Sequence, residues 1–522
     1  MNIVHLLSDR AAAAGDRPAI IDHSRATPRT VSFSALDSAA IRVAAQLRAA
    51  GLQPGDAVLL LQPVSAELYI LFTAILRSGL VALFLDPSAG WKHIDQCGAI
   101  QPAKALVGCA QAHLLRVVSP ALRRIPLKFT TDFPVPGARR LDLRPSAGLR
   151  GLIEDCPDDF PAIIRFTSGS TGPPKAALRT HGYLQAQQRV IARSFALQAG
   201  TLDLVTMPMF VLANLAAGVT SLIPHADLRS PGRIPPESLV REITAQRPHR
   251  LSAAPALLEN LADYCLQHSL TLDSFQSIFT GGAPVFPRLL VKLQAMAPAA
   301  EIVAVYGSTE AEPIALLNQR SLTAEDHAQM AAGRGLLAGF PDEAIQLRIL
   351  PEAGPGSGGW LTQAEFQSAT LPAGQPGQIV VAGPHVQPHY LKDTATAETQ
   401  LQVDGRTWHP TGDAGYLDER GRLWLLGRSQ ARIQDAHGIL YPFQVEGLAL
   451  ENPHIRRAAL LRHDERRVLA IEATHPIDLV ALKTRLRDAA IDQVLVVPGI
   501  PVDRRHNSKI DYPALRRILS RS

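Results

Sequence analysis

Along most of the chain, apolar and polar positions switch between a helical period and short apolar runs. Phe33 to Gly51 and Ala66 to Gly79 carry the spacing of three and four that predicts helices, and Asp56 to Gln62 between them is a short apolar run that predicts a strand. Val81 to Leu85 reads as a buried strand ending at Asp86-Pro87, and Ala105 to Gly108 begins another unit. The Pro-rich stretch Phe133 to Pro145 reads as a linker. Ala162 to Phe166 is a strand, Gly182 to Ala199 a helix, Leu202 to Pro208 a strand, and Pro236 to Gln246 a helix, followed by a strand from Arg250 that His249 and Arg250 cap. Ile278 to Gly281 is a strand that breaks at two glycines, and Gly415 to Leu423 is a β-hairpin with Gly421 in its turn. Alternation of this kind predicts an α/β fold with largely parallel sheets and helices layered on them.

Length changes the picture first, because 522 residues exceed one ordinary domain and imply at least two. At 46% hydrophobic and 19% charged, the composition is that of a globular protein. The most apolar window, Leu68 to Leu85, contains Arg77 and Ser78 and follows Glu67, so it predicts a buried helix and strand and not a transmembrane segment. Cys97, Cys109, Cys156 and Cys265 lie far apart without metal-site spacing, and the N-terminus lacks a signal-peptide pattern. Both point to the cytoplasm. The net charge is +5, and Lys483 to Ser522 alone carries nine Lys/Arg against four Asp, so the whole excess lies at the C-terminal end. With only Tyr512 among those cations, that end is not patterned as a nucleic-acid binder. A basic lid over a polyanionic nucleotide and a solvated basic helix, Ala514 to Arg521, both suit it.

The candidate chemistry centres on Phe166 to Lys175, Phe-Thr-Ser-Gly-Ser-Thr-Gly-Pro-Pro-Lys. Hydroxyls of Thr167, Ser168, Ser170 and Thr171 alternate with Gly169 and Gly172, which bare backbone N–H groups, and Lys175 closes the stretch with a positive charge. Such a loop can wrap a polyphosphate. It is not a Walker loop, which requires Gly-Lys-Ser/Thr, because Pro174 precedes Lys175 and Ala176 follows it. The stretch resembles the signature loop of the adenylate-forming enzymes: acyl-CoA synthetases, peptide-synthetase adenylation domains and luciferases.

That resemblance implies further sites. It assigns the turn Gly281-Gly282-Ala283-Pro284 to the adenine, although two glycines alone would equally mark a tight turn. In Tyr306-Gly307-Ser308-Thr309-Glu310 it implies that Tyr306 stacks on the purine, Thr309 bonds a phosphate oxygen and Glu310 binds Mg²⁺. Asp413, in Thr411-Gly412-Asp413, takes the ribose hydroxyls, and Arg428 joins it. Lys509 matches the lysine that meets both the carboxylate and the α-phosphate. The family organisation implies a large N-terminal domain, residues 1–427, and a small mobile α+β lid, residues 428–522. ATP and Mg²⁺ are the implied cofactors.

Three departures from the CoA-forming members touch the thioester step and spare the ATP contacts. Phe210-Val211 replaces an aromatic-His pair, Gln430 stands at the hinge, and Gln434 with a displaced Gly438 alters the pantetheine loop, while Asn507-Ser508 precedes Lys509. The same features, with the apolar loop Met209 to Ala217 and Gly438-Ile-Leu-Tyr, resemble the β-lactone synthetases of bacterial olefin biosynthesis. The implied partner is a small hydrophobic carboxylic acid, a 3-hydroxy acid in particular. A fatty or aryl acid CoA or carrier-protein ligase is the alternative, and a silent nucleotide-binding protein is the alternative of another class. Phe210 to Ala217 and Leu222 to Pro224 suit an acyl pocket or plain core equally.

Overall fold

The computed structural model describes residues 1–25, 27–85, 90–146, 151–167, 175–352, 359–387, 389–391, 400–503 and 509–520. The chain forms two compact units, Met1–Ala226 with Pro384–Thr399, and Asp227–Gly383 with Gln400–Ser522.

In the first unit the helix Phe33–Ala49 starts where Ser32 Oγ accepts from the Ala35 N–H at 3.2 Å. The strands Arg139–Arg140, Leu127–Thr130, Ala105–Gly108, Ala57–Leu61, Val81–Phe84 and Pro161–Thr167 lie side by side in that order, all parallel. Lys175–Thr180 then pairs antiparallel to Pro161–Thr167, and His389–Tyr390 antiparallel to Lys175–Thr180. The predicted linker Phe133 to Pro145 therefore contributes an edge strand. The helix Ala66–Arg77 is buried on every side, so its two charges need partners. Arg77, 1% exposed, pairs with Asp37 and donates to the Gly151 carbonyl, and Glu67 pairs with Arg25 at 2.8 Å. Among the described residues no helix is long and apolar enough to cross a membrane.

Met209 to Ala217, read as an apolar loop, is instead the helix Met209–Ala217, ended by Gly218 at φ +76°. Phe210 and Val211 are 4% and 0% exposed, and the Phe210 ring lies 5.2 Å from that of Phe195. This segment is buried in the first unit.

The second unit begins with the parallel strands Arg250–Ala253, Ser277–Gly281 and Glu301–Ser308. The parallel order ends there. Ala311–Asn318, Leu336–Pro341, Leu423–Arg428, Arg406–Leu417, Gly377–Ala382 and Gln346–Leu350 continue the sheet antiparallel. Near the C-terminus Ile455–His463 and Arg466–Ala473 form an antiparallel pair, with Gln493–Val496 parallel to the second. Because side chains alternate across a strand, this small sheet is apolar on both faces. Leu460, Leu469 and Ile471 pack with Val445 and Ala449 of the helix Pro442–Leu450, while Leu461 and Val468 pack with Leu515 and Leu519 of the helix Tyr512–Leu519. Each such buried Leu or Ile contributes roughly 1.5–3 kcal/mol. Arg288 donates to the carbonyl of Leu450, the last residue of the helix Pro442–Leu450, and to those of Ile455 and Arg456 at the start of the strand Ile455–His463.

Candidate active site

The turn after the strand Ser277–Gly281 is built for close approach. A Cβ on Gly281 would lie 2.5 Å from the Val305 carbonyl oxygen, and Gly282 has φ +81°, so both positions require glycine. Ala283 and Pro284 continue this turn beside the strand that carries Tyr306. Glu301–Ser308 and Ala311–Asn318 form a hairpin closed by the pair Ser308↔Ala311, which puts Thr309 and Glu310 at its tip. There the Glu310 N–H donates to Ser308 Oγ at 3.2 Å, and Gly307 leaves room for the Ala311 carbonyl, which a Cβ would approach to 3.0 Å.

Asp413 sits inside the strand Arg406–Leu417, directly opposite Arg428 in the register. Its Oδ2 accepts from the Tyr306 hydroxyl at 2.9 Å and its Oδ1 lies 3.3 Å from Arg428 Nε. Thr411 Oγ1 accepts from the Asp413 N–H and donates to the Ile379 carbonyl, and Arg428 also donates to the Thr411 carbonyl, which fixes the strand around Gly412 at φ +74°. The Asp413 carboxyl retains 20% exposure, yet burial raises its pKa, against the pull of Arg428, Tyr306, Lys509 and His409. Burial, with Asp413 alongside, also holds the Tyr306 phenol well above its ordinary range.

His409, four residues before Asp413, was not singled out by the sequence reading. It is 6% exposed, burial lowers its pKa, and the charges of Glu310 and Asp413 pull it back up. Burial thus favours the uncharged imidazole while both carboxylates oppose it, and its Nδ1 is buried without a hydrogen-bond partner. A polar residue in an otherwise strand-like run was the only sequence signal for it.

Lys509 is exposed, and its backbone is clamped on both sides: its N–H donates to Asp503 Oδ1 at 2.9 Å and its carbonyl accepts from the Asp503 N–H at 2.8 Å. Val502 bridges Ile510, and Asp511 caps the helix Tyr512–Leu519. The structure thus gathers Tyr306, Glu310, His409, Asp413, Arg428 and the charge of Lys509 within electrostatic reach of one another. Thr167 and Lys175 belong to the first unit, where they are backbone register partners at the ends of adjacent antiparallel strands. Ser168, Gly169, Ser170, Thr171 and Gly172 lie outside the described residues.

These groups fit a nucleotide. A part-exposed carboxylate flanked by an arginine suits a pair of hydroxyls, and the buried Thr280 Oγ1 and His409 Nδ1 both lack partners. Among the described residues no cluster of three or more His, Cys, Asp or Glu is arranged for a metal ion. Glu310 as a lone hard carboxylate suits Mg²⁺ that arrives on phosphates, since Mg²⁺ takes one or two protein carboxylates and keeps phosphate and water ligands.

The AMP-binding enzyme family matches residues 7–391. The chain is 33% identical over 516 residues to an olefin beta-lactone synthetase of Xanthomonas campestris pv. campestris, covering 92% of this chain and 89% of that one. It is 26% identical over 458 residues to a 4-coumarate–CoA ligase-like protein of Oryza sativa subsp. japonica, covering 85% and 78%. The fold matches ATP-bound MatB from Rhodopseudomonas palustris with a TM-score of 0.78 at 20% identity, over 99% of this chain and 98% of the other. With its sequence matched over most of its length and its fold shared, the chain belongs to the AMP-binding enzymes and is an AMP-forming ligase that uses ATP with Mg²⁺.

Proposed function

We propose that the chain activates a hydrophobic 3-hydroxy carboxylic acid as its acyl adenylate, releasing pyrophosphate, and then closes it to a β-lactone, releasing AMP. The observation that carries this reading is the 33% identity to an olefin beta-lactone synthetase along 92% of the chain. In the first step a carboxylate oxygen attacks the α-phosphorus and pyrophosphate leaves. In the second the acid's own hydroxyl oxygen attacks the acyl carbon and AMP leaves, so the product is the acid less one water. Ring closure within one molecule draws on an orientation advantage of up to about 7–11 kcal/mol, against which ring strain works.

The residues divide the first step among themselves. Asp413 and Arg428 hold the ribose hydroxyls, Tyr306 and the turn Gly281, Gly282, Ala283 and Pro284 flank the adenine, and Thr309 bonds a phosphate oxygen. Glu310 holds Mg²⁺, which when bound neutralises phosphate charge. Thr167 to Gly172 and Lys175 grip the outer phosphates. Lys509 brings the two anions together, and positioning with charge stabilisation supplies most of the catalysis in such transfers.

Support for a CoA-independent second step comes from the altered positions. Val211, where the CoA-forming enzymes have a gating histidine, is fully buried core. Gln434 is an exposed residue in a tight hairpin, opposite Ile439. Four free thiols, three of them buried, suit a reducing cytoplasm. A CoA ligase is the second reading, favoured by the similarity to the coumarate ligase-like protein. Mass spectrometry of products from ATP, Mg²⁺ and a 3-hydroxy fatty acid, with and without CoA, separates the two. A CoA-independent product lighter than the acid by one water supports the lactone; an acyl-CoA formed only with CoA present refutes it.

A further inference from the structure

We propose that one edge of the first unit is a docking surface for an anionic lipid bilayer. Leu114, Val117, Val118 and Phe133 are 67%, 75%, 50% and 73% exposed, and they are brought together by the short helices Leu115–Val118 and Pro120–Arg124 and the segment that leads into the edge strand Arg139–Arg140. Arg116 donates to the Pro136 carbonyl at 3.2 Å and Arg123 to the Val117 carbonyl at 3.4 Å, which ties the two helices to each other and the first of them to the stretch after Phe133.

The same segments carry cations. Arg123, Arg124, Arg139 and Arg140 are exposed, and from Leu114 to Arg144 the chain carries seven Lys/Arg against two acids, Asp132 and Asp142. Neither acid is turned toward those four arginines. Asp132 accepts from the N–H groups of Ala110 and Phe133, and Asp142 is engaged by Arg42 and Arg144. His113, in the short helix before Leu114, is buried, and that burial lowers its pKa.

Arginines on an edge strand protect it against pairing with another sheet, but that does not account for an exposed Phe133 or Val117. Separate apolar tips among cations match a lipid interface, where rings and branched side chains enter the acyl boundary and guanidinium groups meet headgroup phosphates. An acidic protein would ask for a shaped apolar contact, whereas here the apolar side chains stand singly. The inference rests on this surface and not on the reaction proposed above.

Co-sedimentation of the full chain with vesicles tests it. The expected result is sedimentation with vesicles of equal parts phosphatidylcholine and phosphatidylserine, release at high salt, and no sedimentation with phosphatidylcholine alone. The double substitution Arg139→Glu and Arg140→Glu weakens binding by about twenty-fivefold or more, since each cation is worth roughly fivefold at such a surface. Phe133→Ser weakens it severalfold, and both variants keep the circular dichroism spectrum and the pyrophosphate exchange of the parent. Failure of the parent to sediment with anionic vesicles overturns the proposal, as does binding that survives both sets of substitutions. Binding that Phe133→Ser leaves unchanged and soluble polyglutamate abolishes also overturns it, and assigns the arginines to an acidic protein.

Discussion

Glu446 lies on the helix Pro442–Leu450 at 2% exposure, where its Oε1 accepts from the Leu460 N–H at 3.0 Å and from the Tyr512 hydroxyl at 3.1 Å. Burial pushes its carboxyl up to about 7 from an ordinary 4.5, despite the two donors that favour the ionised form. The folded chain therefore holds this proton at pH values where the unfolded chain has already released it. The resulting stability is fully present below about 4.5 and is lost as pH rises through about 7, a loss of about 3 kcal/mol at about 1.4 kcal/mol per pH unit. Glu446→Gln keeps an oxygen acceptor for both donors and removes the titration. It should stabilise the protein by up to about 3 kcal/mol at about pH 8, with the gain shrinking toward zero at about pH 5. Chemical denaturation followed by circular dichroism, with hydrogen exchange of the strand Ile455–His463 read at each pH, measures this. A glutamine variant that is no more stable than the parent at the higher pH, or whose difference from it does not change with pH, refutes the reasoning.

Three other perturbations bear on the site and on the core. If Lys509 holds the proposed place between the two anions, Lys509→Ala should slow acyl-adenylate formation by about 10²–10³-fold, read by pyrophosphate exchange. Asp413→Ala removes the proposed acceptor for two ribose hydroxyls, and at about 1.5 kcal/mol or more per charge-assisted bond the affinity for AMP should fall roughly a hundredfold by calorimetry. Asp37→Ala strands the buried guanidinium of Arg77 with the Gly151 carbonyl and should cost about 3–5 kcal/mol in denaturant unfolding, with no effect on the chemistry of any protein that remains folded.

What the sequence made legible follows periodicity and glycine. Phe33 to Gly51, Ala66 to Gly79 and Pro236 to Gln246 carry helical spacing and are helices at Phe33–Ala49, Ala66–Arg77 and Pro236–Gln246. The pair Gly281-Gly282 announced a turn, and the two positions need glycine for different reasons, one for a close carbonyl and one for a positive φ. The nine apolar-dominated residues Met209–Ala217 have no polar face, so no period marked them as helix, and burial on all sides is what such a helix requires. A strand of only two residues, Arg139–Arg140, leaves no pattern to read at all.

Within the candidate site, order along the chain marked Tyr306, Glu310, Asp413, Arg428 and Lys509, but not their mutual contacts. The Asp413–Arg428 pairing is a consequence of hairpin register, which the turn at Gly421 sets. His409 and Glu446 stayed invisible for a common reason. A single titratable residue in a strand or helix carries no sign of how deeply tertiary packing buries it, and burial is what shifts both.

The most direct measurement of lactone formation compares AMP release, without CoA, from a 3-hydroxy fatty acid and from the same acid lacking the hydroxyl. Ring closure by the substrate's own hydroxyl predicts repeated turnover with the hydroxy acid, and with the other acid a single burst of pyrophosphate followed by a stall. Equal AMP release from both acids, or release only when CoA is supplied, would contradict it.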